Sequence, residues 1–214
     1  MRGNIFGSFA SRLSSNLHIG IISPKFEFSQ DLNYNIFSSF VLTLVLSLFL
    51  GIIAKILCVL LHQPSMDLID FILISIVAGI ISNLIMLPIT MFVSFKSFEH
   101  GWDPDNITSP IIAAFGDLFT LPAIILSVFI LNFISFNFIV KDVILIILLI
   151  AIVVSFIHCY KLSYETNAIL KQSTPVLLLC SFLGGAAGGI LNLAVETLRS
   201  EEHTSELQSH DCIS

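Results

Sequence analysis

The sequence predicts an all-α protein, a polytopic bundle of transmembrane helices. Three observations carry that expectation. The 214-residue chain is 56% hydrophobic and 11% charged, with a mean hydropathy of +0.97. A soluble domain carries about 25% charged residues, and a chain this short has too little interior to hide so many apolar side chains from water. Five segments are apolar over the roughly 20 helical residues needed to cross a hydrocarbon core. Strands are excluded as spanning elements, because an isolated strand leaves its backbone groups unsatisfied in lipid whereas a helix bonds its own.

Residues 1–17 alternate polar and apolar side chains and lack the continuous apolar stretch of a signal peptide. The spans then follow at 35–61, 68–95, 107–133, 140–159 and 175–196. Their connections set an orientation. Arg2, Arg12, Lys25, Lys96, Lys161 and Lys171 lie on the side of the N-terminus. The other side has no basic loop residue, only Lys55 and Lys141 at helix ends from which they can snorkel. The N-terminal side is therefore expected to be cytoplasmic, in a multi-pass protein of the cell membrane. In the last span Gly184, Gly185, Gly188 and Gly189 form two overlapping G-x-x-x-G pairs, a pattern for close helix packing.

Residues 199–214 break the pattern. They begin Arg199-Ser200-Glu201-Glu202-His203-Thr204 and read like a translated sequencing-adapter oligonucleotide. They are expected to be disordered and without function, with the natural chain continuing past Leu198. They also carry four of the fifteen acidic residues, so the net charge of −6 becomes −3 without them. No basic cluster suggests nucleic acid and no basic amphipathic stretch suggests a surface-bound helix. Of the four cysteines, Cys58, Cys159 and Cys180 lie in or beside apolar runs, with no C-x-x-C pair and no zinc spacing, so neither disulfides nor a metal cluster is expected.

The segment Gly101-Trp102-Asp103-Pro104-Asp105-Asn106-Ile107-Thr108-Ser109-Pro110 carries the chemistry. Asp105 or Asn106 suits a helix N-cap, and a first-turn proline has no helical partner to lose. Asp103 and Asp105 suit the positive end of the helix dipole. All of that describes a well-capped helix, or equally an acidic mouth for a cation. Asp117 favours the second reading. It stands eleven residues past Asn106, about 16 Å further along the helix, near the middle of a core about 30 Å thick. An ionisable group there costs about 2.5–3.5 kcal/mol by insertion scales, so it faces water, a partner, or a neighbouring helix in neutral form.

Ser109, Ala113 and Asp117 recur every fourth residue and share a face that Thr120 continues, with small side chains that leave room for water. Metal-binding candidates are thus Asp117, Asp103 and Asp105, and Asn106, Ser109, Ala113 and Thr120 are candidate lining residues. In the second span Asn83 lies on a face with Ser75, Gly79, Ser82 and Thr90. It either bonds across helices or lines the same path. A sparse site of one mid-depth carboxylate suits hydrated Mg²⁺, which keeps several waters. The expected partners are Mg²⁺ or another divalent cation and the bilayer, with the ion as cargo and no cofactor bound permanently.

Two other readings stand beside transport. Ala114-Phe115-Gly116-Asp117 is close to the G-x-G-D pattern of intramembrane aspartyl hydrolases, but Ala114 replaces the first glycine and a second mid-membrane aspartate is missing. A non-transporting scaffold held by glycine-rich helices is the other. The sequon at Asn106-Ile107-Thr108 lies on the inferred cytoplasmic side and should be silent.

The pattern G-x-D-P-D-N-x-x-x-P with a later mid-helix aspartate (Gly101, Asp103, Pro104, Asp105, Asn106, Pro110, Asp117) resembles the membrane domain of the MgtE-type magnesium transporters. So does Arg2-Gly3-Asn4 followed by Ser11-Arg12-Leu13-Ser14 and His18. Bacterial members carry alanine after Asp-Pro where this chain has Asp105, and the closer resemblance is to the branch related to solute carrier family forty-one. The resemblance implies that Asp117 is the pore carboxylate holding hydrated Mg²⁺. Ser109 and Ala113 would lie along the same pore, with Asn4 on the partner helix.

It also implies a division of the chain. Residues 1–133 would be an MgtE-like domain lacking its first helix and part of its second. Residues 134–173 would be a linker with one transmembrane helix, and 174–198 the first helix of a second, parallel repeat. A second repeat or second subunit would complete the pore.

Overall fold

The computed structural model describes residues 2–22, 30–63, 65–102, 104–134, 138–162 and 164–211. Among them the backbone forms six helices and no strand: α1 (Arg2–Ile19), α2 (Gln30–Leu60), α3 (Leu68–Glu99), α4 (Pro104–Ile134), α5 (Phe138–Leu162) and α6 (Tyr164–Asp211). The stretches Gln30–Leu60, Leu68–Glu99, Ile107–Phe133, Ile139–Lys161 and Thr166–Val195 are long and apolar enough to cross a membrane. The all-α bundle and its five apolar spans are thus as expected.

Three helices stop in the same way. At the end of α1 the amide of Ile21 donates to Asn16 O (3.0 Å) and that of Gly20 to Leu17 O (3.2 Å), around Gly20 at φ +80°. At the end of α3 Trp102 donates to Ser97 O and Gly101 to Phe98 O, each at 3.0 Å, around Gly101 at φ +66°. This paired bonding satisfies carbonyls that would otherwise be orphaned at a helix end, and it needs a left-handed residue that glycine supplies without strain. After α2 the same position is taken by His62 at φ 54°, with Gln63 donating to Cys58 O at 3.0 Å.

α1 is the helix that composition hid. Its serines and arginine kept residues 2–19 off the set of apolar spans, yet its apolar face is the most deeply buried in the chain. Phe6, Phe9, Ala10 and Leu13 have no exposed surface. Phe6 and Ala10 cluster with Met86 of α3 and Ile112 of α4, and Phe9 and Leu13 with Leu32, Met91 and Phe95. Arg12 ties α1 to α2 by donating to Ser8 Oγ at 3.4 Å and Ser39 Oγ at 3.3 Å.

The tightest seam joins α1 to α4. A Cβ placed on Gly3 would fall on the carbonyl of Ala113, and one on Gly7 would stand 3.2 Å from Ser109 Oγ. Backbone meets backbone there, as small residues allow between membrane helices. Gly51 does the same between α2 and α3, against the backbone of Phe71 and Ile72, while Gly79 makes room for the side chain of Ser47. α6 lies along α2, where Gly185 and Gly189 accept Ile53, Leu57 and Leu61, and α5 packs outside against α6, α2 and α3. Lys141 of α5 pairs with Asp70 of α3 at 2.8 Å, and Lys55 donates to Ser65 Oγ at 2.9 Å. Both lysines expected to snorkel are therefore engaged within the protein.

The last helix departs from expectation twice. It begins at Tyr164, not near Pro175, because Pro175 is carried inside the helix. Proline removes one backbone bond, which membrane helices tolerate. The backbone of residues 199–211 continues the helix, although a disordered tail was expected there. No glycine or proline occurs from Ile190 to Asp211, so nothing in the local sequence stops the helix.

Gly3→Val is expected to push α1 off α4 and lower stability by about 1–3 kcal/mol. Gly188→Ala, at a glycine with nothing within 4 Å, should stay within about 0.5 kcal/mol of the parent. Unfolding of the detergent-solubilised chain measures both.

Candidate functional site

α4 begins at Pro104, so the proline occupies the first helical position, as its fixed φ and missing N–H favour. Asp103 lies outside the described residues. Asp105 and Asn106 are helical, and their side chains lie outside what is described. One turn on, Thr108 is fully buried and donates to Ser97 Oγ at 2.9 Å. That bond clamps the start of α4 to the end of α3 across the tight turn at Gly101.

Beyond Thr108 the face read as one continuous lining divides. Ser109 is half-buried and donates to the carbonyl of Gly7 at 3.3 Å. Ala113 lies under Gly3. Both therefore face α1 in this chain, and a helix fills the space where water was expected. The cause is the run of glycines on α1, which draws that helix onto the small residues of α4. Asp117, one turn further, is exposed. It stands about 15 Å along the span from Ile107.

The contacts from Gly7 to Ser109 and from Gly3 to Ala113 make α1 and α4 antiparallel. On that register Asn4 stands level with residue 112, about 8 Å along the axis from Asp117. Asn4 is also exposed. The amide and the carboxylate are thus both exposed and lie toward the same end of the seam.

Thr120 is half-buried and spends its proton on Gly116 O at 2.6 Å. With Ile124 and Val128 it borders a cleft of about 420 Å³ whose other walls are apolar residues of α2 and α3, among them Leu50, Phe71 and Ile74. It continues the α4 surface toward an apolar cleft. Asn83 lies in the interior, 1% exposed, and neither Nδ2 nor Oδ1 meets a protein partner. The structure therefore brings Ser109, Ala113, Gly3 and Gly7 together, leaves Asn4 and Asp117 open, and sets Asn83 apart from both groups.

Among the described residues no three His, Cys, Asp or Glu side chains converge on a common point. The carboxylate on the open face is Asp117, and Leu118, Leu121 and Ile125 beside it are exposed and apolar. Such a surface offers a cation one charge and leaves the remaining coordination to water or to a facing surface. Residue reasoning missed the Thr108–Ser97 clamp and the α1–α4 contact. Gly3 and Gly7, four apart, were the available signal for the contact; the clamp left none, because serine and threonine are common throughout the chain.

A family model described as "MgtE: Divalent cation transporter" matches residues 1–127. The match takes in α1 to α3 and α4 past Asp117 and Thr120. No curated protein and no solved structure matches the chain.

Thr108→Val should strand the buried hydroxyl of Ser97 and cost about 1–3 kcal/mol in an unfolding titration. Adding Ser97→Ala should recover most of that loss, since both partners are then apolar.

Proposed function

The chain belongs to the MgtE family of divalent cation transporters, and from that premise we propose that its ion is Mg²⁺ and that Asp117 holds it midway across the membrane. It is a multi-pass membrane protein that transports divalent cations, and it is not an enzyme. The aspartyl hydrolase reading falls with that.

The observation that carries the proposal is the exposure of Asp117 on α4, within the matched region and well inside an apolar span. A carboxylate on a surface of leucine and isoleucine is costly against lipid, by about 2.5–3.5 kcal/mol on insertion scales. Facing a hydrated divalent ion the same group is favourable. Magnesium dehydrates reluctantly and is bound through one or two carboxylates with waters retained, which suits Asp117, with the exposed amide of Asn4 about 8 Å away along the axis.

The path runs along the open side of the α1–α4 pair. The sequence Asp103, Asp105 and Asn106 at the start of α4 supports a mouth there, where negative charge also suits the helix N-terminus. Ser109 and Ala113 support it from the seam with α1, Thr120 continues it beyond Asp117, and Asn83 stands behind it. Asp105 supports placement in the branch related to solute carrier family forty-one. The distribution of basic residues supports a cytoplasmic mouth. The exposed Asp117 face also supports a second copy of this surface, from a parallel repeat or a second subunit, as the opposite wall.

Asp117→Ala in the complete protein is expected to abolish Mg²⁺ uptake into proteoliposomes while leaving expression and insertion unchanged. Asp117→Glu should retain part of it. Normal uptake by the alanine variant would sink the proposal.

A further inference from the structure

A polar seam runs between α2 and α3, away from the surface that carries Asp117. Ser39, Thr43 and Ser47 recur every fourth residue on α2 and are all buried, and α3 sets Gly79, Ser82, Asn83 and Thr90 on its buried side. Part of this seam is self-satisfied. Thr43 donates to Ser39 O at 2.8 Å and Thr90 to Met86 O at 2.7 Å.

Three residues are not. Asn83 has neither an acceptor for Nδ2 nor a donor for Oδ1, and the hydroxyls of Ser82 and Ser47 also lack protein partners. All three are at most 1% exposed. They are neighbours: a Cβ on Gly79 would fall on the Ser47 hydroxyl, and Ser82 and Asn83 form the next turn of α3 after Gly79. Ser47 and Thr43 also line a cavity of about 10 Å³, bounded by Ile5 of α1 and by Leu177 and Ser181 of α6 and by no residue of α3; it is about the smallest space that takes one water.

An amide buried with no partner is costly, and native interiors satisfy such groups with protein or ordered water. The chemistry of the orphans selects between ligands. A cation serves Oδ1 and the hydroxyl lone pairs but repels the Nδ2 hydrogens, and an anion does the reverse. Water both donates and accepts.

We propose that Asn83, Ser82 and Ser47 form an internal hydration site that holds ordered water at the seam of α2 and α3. It lies close in depth to Asp117. Met86 and Ile112 share one buried cluster, and because α3 and α4 are antiparallel, Asn83, three residues before Met86, and Asp117, five after Ile112, lie in the same direction from it. The two side chains are therefore within about one helical turn in depth. Water there makes the interior behind Asp117 more polarisable than a dry core and weakens the penalty on charge at that level.

X-ray radiolysis of the full chain in lipid nanodiscs tests the site, because bound water generates hydroxyl radicals where it sits. Met86 has no exposed surface and lies one turn from Asn83, whereas Met66 is 52% exposed. Mass spectrometry should find Met86 oxidised in the same dose series as Met66. Asn83→Leu should slow Met86 several-fold and leave Met66 unchanged. The pair Ser47→Ala with Ser82→Ala, which adds no volume, should slow Met86 as well and serves if the leucine variant fails to insert. An unoxidised Met86 in the parent protein overturns the site, as does oxidation that both variants leave unchanged. Uptake is not the readout, so this result and that of Asp117→Ala fail separately.

Discussion

Gly3 and Gly7 let the backbone of α1 lie close against α4, and the arrangement of the bundle follows from that approach. With α1 seated there, Phe6 and Ala10 reach Met86 and Ile112, and Phe9 and Leu13 reach Met91 and Phe95. One short helix thereby fills the space among α2, α3 and α4. Lipid offers no hydrophobic drive to bring helices together, so close packing of small residues is what remains to hold them. The same contact sets the register of the candidate site, since Ala113 under Gly3 puts Asp117 one turn further on, where α4 is open.

The bundle buries many small polar side chains and exposes many large apolar ones. Ser38, Ser39, Thr43, Ser82, Asn83 and Thr90 are buried, while Leu118, Ile125, Phe129, Ile147 and Val154 are exposed. In water this would be an unstable arrangement; in hydrocarbon it is the favourable one, because a hydroxyl in the core can bond to a carbonyl one turn back while an isoleucine loses nothing against an acyl chain. Proline fits the same logic. Pro88, Pro110, Pro122 and Pro175 all lie inside helices that continue past them.

Periodicity and length were enough to read the spans, because twenty apolar residues admit few solutions other than a membrane helix. The acidic mouth and Asp117 were legible for a related reason: a charge in an apolar run is expensive, so it stands out. The family pattern was legible in Gly101, Asp103, Pro104, Asp105, Asn106 and Pro110. α1 was less so, since its buried face is diluted by Ser8, Ser11, Arg12 and Ser14. The end of α6 was harder to read, because a change in composition does not by itself stop a helix where glycine and proline are missing.

What the sequence determined by itself is the solvent of the protein, the number of apolar spans and the position of one costly carboxylate, since each depends on side-chain type and on distance along a single helix. Only the tertiary structure decided which way the faces of α4 look. Spacing put Ser109, Ala113 and Asp117 on one stripe, but whether a stripe meets water, lipid or another helix depends on its neighbours. Here α1 takes Ser109 and Ala113 through glycines a hundred residues away and leaves Asp117 open. Helical periodicity specifies which residues share a face; packing between distant segments specifies what that face touches.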